Sequence, residues 1–242
     1  DPLVSCFAHN HEKVKWFGLE AWSGATAEHH GVYNDGARCP LCKGKMAYTL
    51  YHYNHIGHYR CTRCGHHRPA PDFAGTNLDL QAGRLEIDGQ FAVDLSFRSI
   101  YNVYNILAAW SVCRLCGVPG ADMAAVISRY ILKNGRMVRF RLGQHQGTLL
   151  TSKHENSVAY DTNLRYIRSL ERECSVLGIV DAVSRKYFTG ETSWLWDIDF
   201  DQLSCPHVRR VWLCGKYVND LAMRFDYTSV PAERIVLEPD IA

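Results

Sequence analysis

The chain has 242 residues, 47% of them hydrophobic and 21% charged, so it can bury one large core or two ordinary ones and is too apolar to be disordered. A formal net charge of +2 is too near neutral to indicate a nucleic-acid or membrane partner for the whole chain. Ten cysteines among long periodic segments do not describe a short disulfide scaffold, and neither a membrane-length apolar run nor a signal-like start occurs, so a cytoplasmic setting is the simpler expectation.

The chain opens at Asp1-Pro2 without a Met, and its natural start is expected upstream. Cys39-Pro-Leu-Cys42 and Cys61-Thr-Arg-Cys64 are two CxxC knuckles separated by 18 residues, the spacing of a four-thiolate zinc ribbon. Each knuckle turns two thiolates and several backbone N–H groups toward one ion, and two knuckles close a tetrahedron. Zn2+ held by Cys39, Cys42, Cys61 and Cys64 would therefore be structural. Gly44 and Gly65 follow the knuckles, where positive φ is expected.

Tyr48 to Tyr59 between the knuckles is rich in β-formers and reads as the ribbon's hairpin, with a turn toward Gly57. With four thiolates satisfying the metal, His52, His55 and His58 are expected at the surface or behind the ligands. Arg38, Lys43, Lys45, Arg60, Arg63 and Arg68 mingle with tyrosines, which is also the profile of a nucleic-acid-binding zinc ribbon. A binding module is thus the competing function.

Residues 76 to 98 alternate (Leu78, Leu80, Leu85, Ile87, Phe91, Val93, Leu95) as a hairpin or meander turning at Asp88-Gly89. A helix follows at about 100 to 116, and a second amphipathic helix at about 120 to 132. Cys113 and Cys116, three apart on the first helix, read as buried packing residues, and the isolated Cys6, Cys174, Cys205 and Cys214 as inert ones. The Gly-containing basic stretch Lys133 to Arg139 marks a domain boundary.

Beyond it, a helix at 156 to 172, apolar strands at 175 to 180, 193 to 198 and 208 to 214, a helix at 216 to 226 and a strand at 235 to 237 describe a parallel sheet of Rossmann-like type. Read as a strand, Ser193 to Ile198 puts Trp194 and Trp196 on one face and Leu195 and Asp197 on the other. Asp197, near Asp199 and Asp201, then lies where a polar group can orient a partner's histidine or contact a ligand. On residue chemistry alone, acids that cap the next helix and tryptophans that fill a core are the stronger reading.

Three runs together carry a family resemblance: Cys39-Pro-Leu-Cys42 with Tyr53 to Gly65 and Arg68-Pro69; Tyr101-Asn-Val-Tyr-Asn-Ile-Leu-Ala-Ala109; and Thr192-Ser-Trp-Leu-Trp-Asp197. In order and spacing they resemble, along nearly the whole chain, the MurT family, ligase subunits of lipid II isoglutaminyl synthase within the Mur ligases. The resemblance implies an α/β protein with a partial Mur ligase central domain over 1–139, a zinc ribbon inserted at about 36–70, and a Rossmann-like C-terminal domain with a parallel sheet over 140–242. It also implies work at the inner face of the membrane in peptidoglycan biosynthesis, in a heterodimer with a GatD-like glutaminase.

In that family the subunit uses ATP and Mg2+ to activate the α-carboxyl of D-glutamate in the lipid II stem peptide, and glutamine-derived ammonia then forms D-isoglutamine. A carboxylate is a poor electrophile, so phosphate must first be attached as a leaving group. Asn102 and Asn105 match the family's Asn-rich helix start, where side-chain amides recognise adenine. Asp197 is the candidate for the aspartate that completes the glutaminase's Cys-His pair, with Glu191 as the alternative acid.

The family's Gly-Lys-Thr/Ser phosphate loop and magnesium-binding Glu do not occur in these 242 residues. Gly135-Arg-Met-Val138 and Lys153-His-Glu-Asn156 also depart from the family pattern. The reading is therefore an internal, C-terminally truncated segment of a ligase subunit, inactive alone. The alternative is a non-catalytic zinc-ribbon interaction or nucleic-acid-binding protein on a decayed ligase scaffold.

Overall fold

The computed structural model of the chain describes residues 1–8, 10–32, 34–97, 99–131, 137–152, 157–181 and 192–240. Glu191 and the stretches 133–136 and 153–156 lie outside the described residues. The chain divides into two compact units, Asp1–His30 with Asn34–Gly135, and Gly31–Tyr33 with Arg136–Ala242.

The first unit begins with helix α1 (Pro2–Phe7), started by Asp1, whose Oδ1 accepts from the Leu3 N–H at 2.8 Å and the Val4 N–H at 3.3 Å. Strand β1 (Phe17–Leu19) follows, then the ribbon strands β2 (Met46–Tyr53) and β3 (Ile56–Cys61), paired antiparallel with Met46 opposite Cys61. Strands β4 (Phe73–Asp79), β5 (Arg84–Ile87) and β6 (Phe91–Asp94) join β1 in a sheet of order β1-β4-β5-β6, with β1 parallel to β4 and the other pairs antiparallel. Helices α2 (Ile100–Leu115) and α3 (Gly120–Arg129) complete it.

Packing explains the order of these elements. Ile100, Val103, Leu107 and Trp110 are buried along one face of α2 at helical spacing, in one core with Leu19, Leu78, Leu85, Ile87 and Val93 of the sheet. A Cβ on Gly75 would lie 3.0 Å from Leu19 Cδ1 and 3.2 Å from Leu107 Cδ1, so the bare backbone of β4 lets the helix approach closely. The predicted turn forms at Asp88 and Gly89, both with positive φ. Asp88 also fastens the turn to the core, because its carboxylate accepts from the Trp110 indole N–H at 2.9 Å and the Ala74 N–H at 3.0 Å.

The second unit has an antiparallel hairpin, β7 (Met137–Leu142) and β8 (His145–Leu150), then helix α4 (Ser157–Arg168), strand β9 (Cys174–Ile179), strand β10 (Val208–Cys214), helix α5 (Val218–Phe225) and strand β11 (Ile235–Glu238). The three last strands form a parallel sheet of order β11-β10-β9, Val211 standing between Ile235 and Val176. Val208, Val211 and Leu213 of β10 share a buried cluster with Leu164 of α4 and Val218, Leu221 and Phe225 of α5. Each fully buried aliphatic side chain there contributes roughly 1.5–3 kcal/mol.

Gly215 ends β10 with φ +95°, and a Cβ there would meet the Val180 carbonyl oxygen at 2.6 Å. That strand-to-helix turn therefore requires glycine.

Several sequence expectations change. Ser193–Asp197 is a 3-10 turn rather than a strand. Asn54 (φ 44°) makes the ribbon turn, whereas Gly57 lies within β3. Lys43 (φ 61°) takes the positive φ of the first knuckle in place of Gly44, while Gly65 (φ 76°) has it as expected in the second. A Cβ on Gly44 would sit 2.8 Å from the Arg63 side chain and 3.2 Å from the sulfurs of Cys42 and Cys61, so glycine serves close approach there. Cys116 is exposed rather than buried. The elements α1, β1, β7 and β8 add to those that the sequence pattern predicts.

Candidate functional site

The loops before β2 and after β3 bring the two knuckles together. The Cys39 and Cys64 sulfurs are 3.6 Å apart and those of Cys42 and Cys61 3.5 Å, and all four lie within 4.8 Å of one another. Four thiolates bound tetrahedrally at ~2.3 Å would stand about 3.8 Å apart, so the cluster has the dimensions of a metal site. Backbone N–H groups aim inward, from Gly44 to the Cys42 sulfur at 3.4 Å and from Arg63 and Cys64 to the Cys61 sulfur at 3.3 and 3.5 Å. Arg63 also donates to the Cys42 carbonyl at 3.3 Å, joining one knuckle to the other.

The electrostatics of these thiols make the same case. The Cys64 N–H above all, then the Arg63 N–H and the adjoining sulfurs, hold Cys61 down at about 6. Cys64 has the His66 N–H to favour its thiolate, yet the sulfurs of Cys42, Cys39 and Cys61 together with burial push it up to about 12. Protein groups thus favour the Cys61 thiolate, while the neighbouring sulfurs oppose that of Cys64. A thiophilic divalent cation removes that conflict by compensating all the charges at once.

Of the three histidines between the knuckles, His52 is buried and His55 and His58 are partly buried. His52 is only 4% exposed, and burial foremost, then His58 and Arg68, hold its imidazole down at about 3, so it packs as a neutral ring. His55 Nε2 lies 3.3 Å from Asp1 Oδ2. The Tyr59 hydroxyl donates to the Asp1 carbonyl at 3.0 Å and lies 2.6 Å from Ser5 Oγ, which is 3.0 Å from His66 Nε2. Helix α1 is thereby bonded to the ribbon.

Asn102 and Asn105 lie together at the start of α2. Asn102 Nδ2 donates to Ser99 Oγ at 2.8 Å, and Asn105 Nδ2 donates to Asn102 Oδ1 at 3.1 Å. The relay runs along one face at i, i+3 spacing, from the residue before the helix to the exposed Asn105. Amides held this way present a fixed donor and acceptor pattern.

Asp197 closes the 3-10 turn of the second unit. In such a turn residues three apart eclipse, and Leu195 and Ile198 share the buried side, 1% and 0% exposed. Trp194 stacks on Tyr160 with ring centroids 5.3 Å apart, while the exposed Trp196 meets Tyr227 edge to face at 5.2 Å. The tryptophans thus do not share a face. Arg224 of α5, 5% exposed, donates to the Leu195 carbonyl at 3.2 Å and the Ile198 carbonyl at 2.8 Å.

The neighbouring acids differ in what they bond. Asp201 Oδ1 accepts from the Ser229 N–H at 2.6 Å and its hydroxyl, bonds that hold this carboxyl below its ordinary value. Asp199 begins the next 3-10 turn (Phe200–Ser204) without a side-chain cap, its own N–H donating to Asp161 Oδ1 at 3.3 Å. Sequence reasoning passed over Arg224 and Asp161. A signal for Arg224 existed: it occupies a core-facing position of α5, in step with Val218, Leu221 and Phe225.

Residues 154–242 match the MurT ligase C-terminal family. The chain is 30% identical to the MurT subunit of the glutamine-hydrolysing lipid II isoglutaminyl synthase of Streptococcus pneumoniae, over 92% of this chain and 49% of that protein. With the MurT subunit of Staphylococcus aureus it shares 26% identity over 100% of this chain and 53% of the relative. It spans about half the length of the curated relatives it matches.

Among solved structures, a pseudomurein peptide ligase type C from Methanothermus fervidus superposes with a TM-score of 0.71 at 18% identity, covering 98% of this chain and 44% of that one. MurF from Acinetobacter baumannii gives 0.51 at 16% identity, covering 69% and 36%. These two likenesses concern the fold alone, a mixed α/β arrangement with a parallel sheet. The resemblance to MurT carried by the ribbon, the Asn helix and the Trp-Asp motif is borne out by the relatives.

Proposed function

We propose that this chain is the central and C-terminal part of a MurT-type ligase subunit. With the remainder of the ligase it amidates the α-carboxyl of D-glutamate in the lipid II stem peptide, using ATP, Mg2+ and ammonia from a GatD-like glutaminase. The observation that carries this reading is the likeness to MurT subunits over 92–100% of the chain, which includes all three motifs.

The residues take distinct roles. Cys39, Cys42, Cys61 and Cys64 hold a structural zinc that closes the ribbon inserted in the central domain. Asn102 and Asn105 present their amide relay to the adenine of ATP. Asp197, in the Rossmann-like domain, reaches the glutaminase and holds its catalytic imidazole in the useful tautomer and orientation.

The Gly-Lys-Thr/Ser phosphate loop that the family's ATP chemistry requires is not among these 242 residues. Among the described residues no helix is long and apolar enough to cross a membrane, in keeping with a ligase that works on its lipid-linked substrate from the cytoplasmic face. A nucleic-acid-binding ribbon is less well supported, because base stacking needs free aromatic faces. Tyr59 is only 4% exposed, and the Tyr48 ring stacks on Tyr51 at 4.2 Å while its hydroxyl donates to the His55 carbonyl at 3.0 Å.

The test is reconstitution. The full-length subunit, co-purified with the glutaminase and supplied with lipid II, ATP and glutamine, is expected to convert the stem-peptide D-glutamate to D-isoglutamine, read by mass spectrometry. Absence of amidation with both subunits folded and associated would overturn the assignment.

A further inference from the structure

Arg224 is a buried guanidinium bonded to backbone rather than to a carboxylate. It is 5% exposed, and its two bonds go to the carbonyls of Leu195 and Ile198, on either side of Trp196-Asp197. Its charge lies 5.5 Å from the centre of the Trp196 ring and 5.6 Å from that of Phe200. The same residue therefore grips the turn through its backbone and through the tryptophan next to Asp197.

A buried cation has a large desolvation cost, and an apolar side chain of similar volume commonly serves stability as well or better. At this core-facing position of α5 a Met or Leu would fill the space. Neither would donate to the Leu195 and Ile198 carbonyls, which accept from the Ile198 N–H at 3.4 Å and the Phe200 N–H at 3.1 Å and each keep a second lone pair for the arginine. A planar fork of donors pairs both at a fixed separation. What the arginine supplies over an apolar residue is a defined backbone path through Asp197.

We propose that Arg224 is a positioning residue for Asp197: it clamps the Trp-Asp turn from both ends so that the carboxylate meets the glutaminase's imidazole in one orientation. This rests on the reading of Asp197 as the residue that completes the partner's Cys-His pair. Carboxylate support of an imidazole depends on tautomer and direction, and displacement of about 1 Å can lower a rate by about 100-fold. Losing the clamp should lower kcat and leave glutamine binding, which belongs to the partner, unchanged.

The experiment uses the full-length subunit in complex with its glutaminase and measures kcat and KM for glutamine hydrolysis. Four forms are compared: native, Asp197→Asn, Arg224→Met and the double variant. The affinity between the subunits is measured alongside.

Asp197→Asn is expected to lower kcat by about 100-fold or more, and Arg224→Met by about 10- to 100-fold with KM and subunit affinity within about twofold of native. In the Asp197→Asn background, Arg224→Met should lower kcat no further, since a residue acting through another has nothing left to position. If Arg224→Met yields no folded complex, Arg224→Lys, which keeps the charge and loses the fork, is carried through the same cycle.

An unchanged kcat in the arginine variant, or an equal loss with and without Asp197, would overturn the positioning role while leaving Asp197 in place. An unchanged kcat in Asp197→Asn would overturn the reading of Asp197, and the positioning role with it.

Discussion

Asp161 sits in the second unit with 7% of its surface exposed, and burial foremost, then the Asp199 charge, pushes its carboxyl up to about 6 although the Asp199 N–H opposes this. The folded value lies above the ordinary 3.8, so folding favours the protonated form. The associated stability is complete below about pH 4 and is lost as pH rises through about 6. Asp161→Asn keeps an acceptor for the Asp199 N–H and removes the charge. It should raise stability at pH 7.5 by about 1–3 kcal/mol, with no difference from native below about pH 4, as measured by urea denaturation at each pH. A native chain equally stable relative to the variant at both pH values would show that the buried carboxylate costs nothing. Residues of this kind are hard to read in a sequence, because Asp161 looks like any polar position on α4 until the 3-10 turns cover it. Cys39, Cys42, Cys61 and Cys64 were legible for the opposite reason: local spacing within each knuckle determines their geometry.

The elements show where local pattern suffices. Helix α2 follows from Ile100, Val103, Leu107 and Trp110, and strands β4 to β6 from alternation around Asp88-Gly89. Ser193 to Ile198 misled because alternating tryptophans mimic a strand, whereas the spacing that matters is Leu195 to Ile198, held by an arginine 26 to 29 residues away. Strand β1 is three residues long and gains its place only from parallel pairing with β4, information that no local window contains. Glycine is the usual turn residue and points to a ribbon turn near Gly57, yet Asn54 takes the left-handed conformation, which asparagine tolerates. Gly57 has another task, for a Cβ there would lie 2.1 Å from the Leu50 carbonyl oxygen across the hairpin. Gly57→Ala must therefore push β2 and β3 apart and should destabilise the first unit by about 1–3 kcal/mol. Calorimetry of the metal-loaded chain checks this, and an unaltered melting profile would mean that the strands separate without cost. Leu107→Ala, at a fully buried position of α2, should cost about 2–5 kcal/mol in the same unit.

At the scale of the molecule, the two units have separate cores: one cluster runs from Leu19 to Met123 and the other from Leu164 to Val230, with no buried member in common. The ribbon adds a third and smaller cluster of Cys39, Met46, Tyr59 and Cys61. Two of those four residues belong to the four-thiol cluster proposed to hold zinc, so the ribbon has little apolar surface with which to hold itself together without an ion. It is also tied to α1 through Tyr59, Ser5 and His66, and loss of the ion should loosen that helix as well. A chelator strong enough to strip zinc should therefore abolish amide-exchange protection in β2, β3 and α1 while leaving β9 to β11 protected. Cys61→Ser should reproduce this without chelator, with the bound metal falling from about one ion per chain to well below it. Loss of protection spreading equally through the parallel sheet would show that the units fold as one body. Unchanged protection in the ribbon after complete removal of the metal would show that four thiols and a small apolar cluster suffice, and the ion would then be a passenger in a site whose geometry the protein makes alone.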